Sequence, residues 1–375
     1  MTTLGASSTA TTRLDAIRAN LAAVRARVGA RQVLAAVKAD AYGHGATEVA
    51  RMIQRTGAAD WLGVATVGEG LELRDAGVTL PILKLSVARG EEVAAAVAAG
   101  LALCVVDADS IREAGAAASA LGTTAELHLK VDTGMRRIGC EPEQAPALAQ
   151  LVDATAGARL TGLFSHLPIS DSPRGEEFTV GQVDLFRRTA AQVEAVCGPV
   201  PLKHLANSGA VLGHPDTWLD LVRPGIMIYG AYPDAEAART VPLLPALEWR
   251  TRVTFLKTVR EGETVGYGRT WTAPRDTWIA TVPVGYGDGY SRLLSNRGRM
   301  LIRGRAYPIA GRVCMDQTML DLGPETDVAV GDEVVLVGRS GDREISTAEL
   351  ADLMGTIPYE VTCLIARRVG REYVD

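Results

Sequence analysis

Between Val33 and Tyr229 short apolar runs alternate with stretches of helical spacing, and that alternation leaves few folds open. Strand-like runs fall at 33–37, 61–65, 81–85, 103–106, 126–131, 160–165, 202–205 and 226–229. Helical spacing opens the series at 14–28 and recurs at 46–55, 69–76, 91–99, 108–121, 143–154 and 181–196. Short buried strands separated by helices require a parallel sheet with helical crossovers. About eight such units in roughly 220 residues suit a (β/α)8 barrel of the TIM type; an open doubly wound sheet is the alternative.

The texture changes after Tyr229. Residues 231–245 carry Pro233, Pro242 and Pro245 and read as a linker. Beyond Leu247, strands at 250–257, 278–284, 300–303, 318–322 and 333–337 are separated by Gly-rich turns, with a closing helix at 347–354. This predicts a smaller, mainly antiparallel β-domain. The expected division is a loose tail over 1–12, a barrel over 13–238 and a β-domain over 239–375. The tail expectation rests on the Ser/Thr/Ala-rich start MTTLGASSTATTR, which lacks the charged-then-apolar order of a signal peptide.

A net charge of −5 gives no basic footprint for nucleic acid, and no apolar run is long enough to span a bilayer. Five scattered cysteines without a C-x-x-C pair or export signal argue for free thiols in a reducing cytoplasm. H-E-x-x-H, G-x-x-x-x-G-K-[ST] and a G-x-G-x-x-G between strand and helix are absent, so no metal site is expected and dinucleotide or phosphoryl-transfer chemistry has no motif.

The first strand ends in Lys38, followed by Ala39–Asp40–Ala41–Tyr42–Gly43–His44–Gly45, a polar, turn-forming stretch. Read alone, such a lysine snorkels into water. With an apolar wall behind it, desolvation favours the neutral amine, the form that attacks an aldehyde. Two further segments stand at expected strand ends, where barrel active sites gather and phosphate is often held. One is His204–Leu205–Ala206–Asn207–Ser208–Gly209; the other is Arg223–Pro224–Gly225–Ile226. Ser208 offers a hydroxyl, and Gly225 and Ile226 offer adjacent backbone N–H groups.

K-A-D-A-Y-G-H-G, H-L-A-N-S-G and R-P-G-I-M-I-Y-G closely resemble motifs of the alanine racemases. So do L-K-V-D-T-G-M (129–135), the stretch 265–269, and the segments 283–290, 311–317 and 358–361. The resemblance runs in one order from about Leu14 to about Val369. It implies pyridoxal 5'-phosphate carried on Lys38, with Tyr42 and Tyr359 on its phosphate alongside Ser208, Gly225 and Ile226, and Asn207 among the other cofactor-binding residues. Arg223 would face the pyridine nitrogen, with His166 bonded to that arginine. Arg137 would face the cofactor phenolate and the substrate carboxylate. Lys130 falls where many members carry a carbamylated lysine. Tyr267 would be the base opposite Lys38. Tyr286 would narrow the access to the site, the N–H of Met315 would hold the substrate carboxylate, and Asp316 would be a charge at the mouth. The loop after His166, beginning Leu167–Pro168–Ile169, departs from the family wording.

The implied activity is interconversion of L- and D-alanine by two bases, Lys38 and Tyr267, yielding D-alanine. The family also implies a homodimer whose head-to-tail subunits share active sites. Two other readings stand beside it. One is a racemase or epimerase of the same fold acting on other amino acids. The other, a pyridoxal-phosphate carrier without catalysis, has no use for a second base.

Overall fold

The computed structural model describes residues 7–375 and divides into two compact units. Among the described residues, one comprises 17–42 and 46–244; the other takes in 7–16, Gly43–Gly45 and 245–375.

The first strand, β1 (Ser8–Arg13), lies where the sequence predicts a tail. It pairs antiparallel with β10 (Leu247–Arg252) and parallel with a C-terminal strand, Gly370–Val374. Ser8, Ala10 and Thr12 are buried on one face, so small and β-branched side chains suffice here. Residues 1–6 of the expected tail lie outside the described residues.

The larger unit holds eight parallel strands. They are β2 (Gln32–Ala36), β3 (Trp61–Val64), β4 (Ile82–Val87), β5 (Ala102–Val105), β6 (Ala125–Lys130), β7 (Ala158–Phe164), β8 (Leu202–His204) and β9 (Leu221–Val222). Neighbours pair in chain order from β2 to β8, and β9 pairs with β2. Backbone bonds from Asp220 N to Lys203 O (3.1 Å) and from Arg223 N to Ala206 O (2.8 Å) bring β8 and β9 together and complete the ring. The (β/α)8 barrel expected from the alternation is therefore the observed architecture.

The eighth strand is not where the sequence puts it. Ile226–Tyr229 is a buried 3-10 turn, and the strand is the two-residue stretch before Arg223. Pro224 offers no N–H to a ladder, so the apolar run after it coils instead. This moves Arg223 from the start of the last strand to its C-terminal end.

Every second strand residue points into the barrel. Leu34, Trp61, Leu83, Ala102, Leu202 and Leu221, from six strands, form one buried cluster. Each fully buried leucine contributes about 1.5–3 kcal/mol. Two residues further on stand His204, the last residue of β8, and Arg223, directly after β9. The apolar plug thus gives way to polar groups toward the C-terminal end of the barrel, where a site can form.

The smaller unit is a β-structure built on Trp249, Tyr290, Met300 and the strand Glu333–Ser340. One sheet runs through Arg305–Pro308, Arg299–Ile302, Glu333–Ser340, β10, β1 and Gly370–Val374. All but the last of these pairings are antiparallel. A second sheet contains β11 (Phe255–Val259), Thr277–Val282 and Thr318–Gly323. The single strand expected at 250–257 is two, β10 and β11, and the closing helix is Thr347–Met354. Among the described residues no helix is long and apolar enough to cross a membrane.

Candidate active site

Lys38 leaves the barrel at the end of β2 and is half-buried. The four residues after it are left-handed: Ala39 to Tyr42 have φ between 51° and 55°. Left-handed backbone costs roughly 1–2 kcal/mol per L-residue, so the segment needs anchors. Glu69 accepts from Ala39 N at 2.7 Å, Asp40 accepts from Ala46 N at 2.7 Å, and Val37 O accepts from Ala41 N at 2.8 Å. Ala41 and Tyr42 are buried, and the Tyr42 ring lies 5.2 Å from that of Tyr229. The turn-forming stretch in the sequence is thus a fixed left-handed coil.

Tyr42, Ser208 and Gly225 meet. A Cβ on Gly225 would sit 2.6 Å from the Tyr42 hydroxyl, so only glycine fits. Ser208 Oγ accepts from Gly225 N at 2.9 Å and lies 3.5 Å from Met227 N. Asn207 is bonded within the protein. Its amide donates to Leu167 O at 2.9 Å, and its carbonyl accepts from Ser170 Oγ (2.8 Å) and Ala210 N (3.0 Å). It pins the unusual loop after His166 and caps the following helix.

Arg223 is buried. It donates to His204 Nδ1 (2.9 Å), Ser165 O (2.8 Å), Leu205 O (3.1 Å) and His166 Nδ1 (3.3 Å). Burial, then the like charge of Arg137, pushes its proton affinity down to about 9, which still leaves it charged at neutral pH. Burial and the surrounding cations hold His166 neutral, so its Nδ1 can accept. Lys130 is buried with its Nζ 5.2 Å from the centre of the Phe164 ring; the Arg223 guanidinium lies 5.5 Å from it. Burial, chiefly, with Arg223, Arg137 and Lys38 pushes the Lys130 amine down to about 8. Basic groups from three strand ends, Lys38 after β2, Arg137 from the loop after β6 and Arg223 after β9, therefore lie within electrostatic range of Lys130, the last residue of β6. Arg137 itself is exposed, on the loop held by Asp132.

Sequence reasoning missed His128, Phe164, Ser165 and His204. The His204 ring stacks on Phe164 at 4.7 Å, and His204 Nε2 lies 2.9 Å from His128 Nδ1. Gly162 makes this possible, because a Cβ there would lie 2.2 Å from His128 Nδ1. His128 is ringed by Trp61, Phe164 and His204 and cannot step aside. Gly162→Ala is expected to lower stability by about 1–3 kcal/mol through overpacking, read as a lower urea midpoint. An unchanged midpoint would contradict that packing.

The smaller unit carries the remaining candidates. Tyr267 stands in a 3-10 turn between Gly266 and Gly268, both at positive φ (75° and 70°), and is 71% exposed. The Arg312 guanidinium carbon would lie 3.3 Å from a Cβ on Gly268, so a cation borders this turn. Tyr286 N donates to Cys314 O at 3.0 Å and Gly287 N to Met315 O at 2.9 Å, which holds Tyr286 and Met315 on one surface. Asp316 pairs with Arg368 at 2.9 Å, and Arg368 also grips Asp288. Tyr359 lies in the short helix Pro358–Cys363.

Residues 12–233 match the family described as Alanine racemase, N-terminal domain, and residues 246–373 match Alanine racemase, C-terminal domain. The chain is 54% identical over 361 residues to the alanine racemase of Cutibacterium acnes, covering 96% of each chain. The chain belongs to the alanine racemase family. Its backbone is similar to that of alanine racemase from Clostridium difficile 630, with a TM-score of 0.93 and 34% identity over 100% of this chain and 97% of the other. A histidine racemase from Leuconostoc mesenteroides is also similar, with a TM-score of 0.90 and 29% identity over 99% of this chain and 98% of the other. The family is one of amino-acid isomerases, in agreement with the resemblance carried by the motifs.

Proposed function

We propose that this protein interconverts L- and D-alanine with pyridoxal 5'-phosphate held on Lys38. The observation that carries the reading is the meeting of Tyr42, Ser208 and Gly225 in one cradle, with Tyr42 four residues after Lys38 and Gly225 two after the buried Arg223. The donor set fits the cofactor: an amine for its aldehyde, hydroxyls and backbone N–H groups for its phosphate, and cations for its phenolate. Tyr42, Ser208, Gly225 and Ile226 hold the phosphate, joined by Tyr359, while Asn207 keeps their loop in place. When bound, the conjugated ring takes up the charge left at the substrate's α-carbon.

Arg223 can only donate, so it would face the cofactor's ring nitrogen as a donor, leave that nitrogen without a proton and temper the ring's electron demand. His166 accepts from Arg223 and steadies it. Lys38 moves the proton on the D face and Tyr267 the proton on the L face, each acting as acid in the reverse direction. Arg137 and the N–H of Met315 orient the substrate carboxylate, Tyr286 restricts the mouth, and Asp316, tied to Arg368, is a charge at its rim.

A second copy of the chain supplies Tyr267, Tyr286 and Met315. In a single chain these side chains are 71%, 42% and 53% exposed, whereas a phenol acting as a base needs shelter from water. The working form is accordingly a homodimer with shared sites, in the cytoplasm.

The test is chiral chromatography of L-alanine incubated with the purified protein and cofactor, beside serine, lysine and histidine. Alanine should approach equal amounts of both enantiomers, which have equal free energy. Absence of D-alanine would refute the reading. Faster turnover of another amino acid would favour the second reading, a racemase of different specificity, which the likeness to a histidine racemase supports.

Lys130 is the site of a carbamate. With its amine at about 8, much of it is free near pH 8, and only the free amine attacks carbon dioxide. The carbamate's negative charge would be welcomed by Arg137. At fixed dissolved carbon dioxide, a 13C carbamate resonance should grow as pH rises through about 8 and should vanish in Lys130→Arg. A flat wild-type spectrum would remove the carbamate.

A further inference from the structure

The chain has five histidines, and two of them, His128 and His204, sit wholly buried inside the barrel beneath Arg223. Their protonation can be worked out from the arginine downward. Arg223 has only donors to offer, so His204 Nδ1, 2.9 Å from its Nη1, must be bare. The proton of a neutral His204 then sits on Nε2. That nitrogen is 2.9 Å from His128 Nδ1, which must in turn be bare to accept. The His128 proton is left on Nε2, a buried atom with no hydrogen-bond partner. Burial, foremost, keeps both rings neutral; for His128 it pushes the proton affinity down to about 3.

We propose that His128 is a positioning residue. Its bare Nδ1 accepts the Nε2–H that the donors of Arg223 impose on His204, so that contacts at both ends hold His204 in one tautomer with a bare nitrogen aimed at Arg223. Without an acceptor on His128, the Nε2–H of His204 would be buried and unpaired, a state comparable in cost to a lost hydrogen bond. His204 would then tilt, or flip its tautomer and turn an N–H toward Arg223. Gly162 and Phe164 belong to the same device, the first by leaving room for His128 and the second by stacking under His204. The catalytic consequence rests on the pyridoxal-phosphate reading, because Arg223 acts through its contact with that cofactor. The tautomers themselves are set by this chain alone.

The experiment uses full-length protein labelled with 15N in histidine, measured with and without pyridoxal phosphate. His128 and His204 should each show a single Nε2–H tautomer in both states. His128→Leu, which has no acceptor, should give His204 mixed tautomers and lower kcat about tenfold, with KM for alanine within about twofold. His128→Asn places a carbonyl oxygen near the former Nδ1, so it should restore the single tautomer and most of kcat. His128→Leu with His204 still in one tautomer would overturn the proposal. So would equal impairment of the Leu and Asn variants, which would make His128 mere filling. Should His128→Leu fail to fold, the tautomer and kcat of His128→Asn decide alone. Should the wild type racemise nothing, the labelled spectra still judge the relay, separately from the proposed function.

Discussion

Lys38→Ala is expected to lower alanine racemisation by at least about 10³-fold, the loss of both a covalent anchor and a proton-transfer group. The position explains the size. Lys38 is the residue at which the chain leaves β2, and the left-handed coil behind it cannot shift to bring another amine into place. Lys130 is buried beside the Phe164 ring. Lys38→Arg should fail almost as badly, since a guanidinium keeps the charge but lacks a nucleophilic amine. Both variants should fold, because Lys38 is only half-buried at the barrel mouth. Borohydride reduction followed by peptide mapping should mark residue 38 in the wild type alone. Substantial turnover in either variant would move the chemistry to another residue.

Tyr267→Phe is expected to lower racemisation by about 10²–10⁴-fold, the range for one positioned acid–base group. The loss must be equal in both directions, because the equilibrium constant between enantiomers is one. The asymmetry lies in exchange with solvent. In deuterated water the variant should still exchange the α-proton of D-alanine through Lys38, without inversion. Exchange of L-alanine should nearly cease. Similar exchange of both enantiomers would show that Tyr267 does not serve the L face. The glycines on either side at positive φ set the phenol out from the surface, so the substitution should leave the fold intact.

The barrel was legible because strands and helices carry different periods, and the apolar runs on β2 to β8 keep theirs. Its last strand was not, because Leu221–Val222 is too short to show a period and Ile226–Tyr229 mimics one. β1 was hidden by its small side chains, since its stability comes from partners more than 200 residues away. No local rule predicts four consecutive L-residues in left-handed backbone, because the anchor Glu69 lies 30 residues beyond Ala39. Lys38, Arg223 and the phosphate cradle could be found, for they stand in short contiguous motifs. The histidine relay could not, since its members are 76 residues apart and meet only across the closed barrel. The one hint was the period of two that aligns His204 with inward-facing Leu202.

Two bases on opposite faces make a sharp demand on the first turnover. Unlabelled L-alanine should be converted in deuterated water while the product is collected early, and its α-carbon read by mass spectrometry. Removal by Tyr267 and delivery by Lys38 require D-alanine that is almost fully deuterated from the outset. D-alanine that keeps a substantial share of the original proton would mean that one group carried it across, and would contradict the pairing of Lys38 with Tyr267.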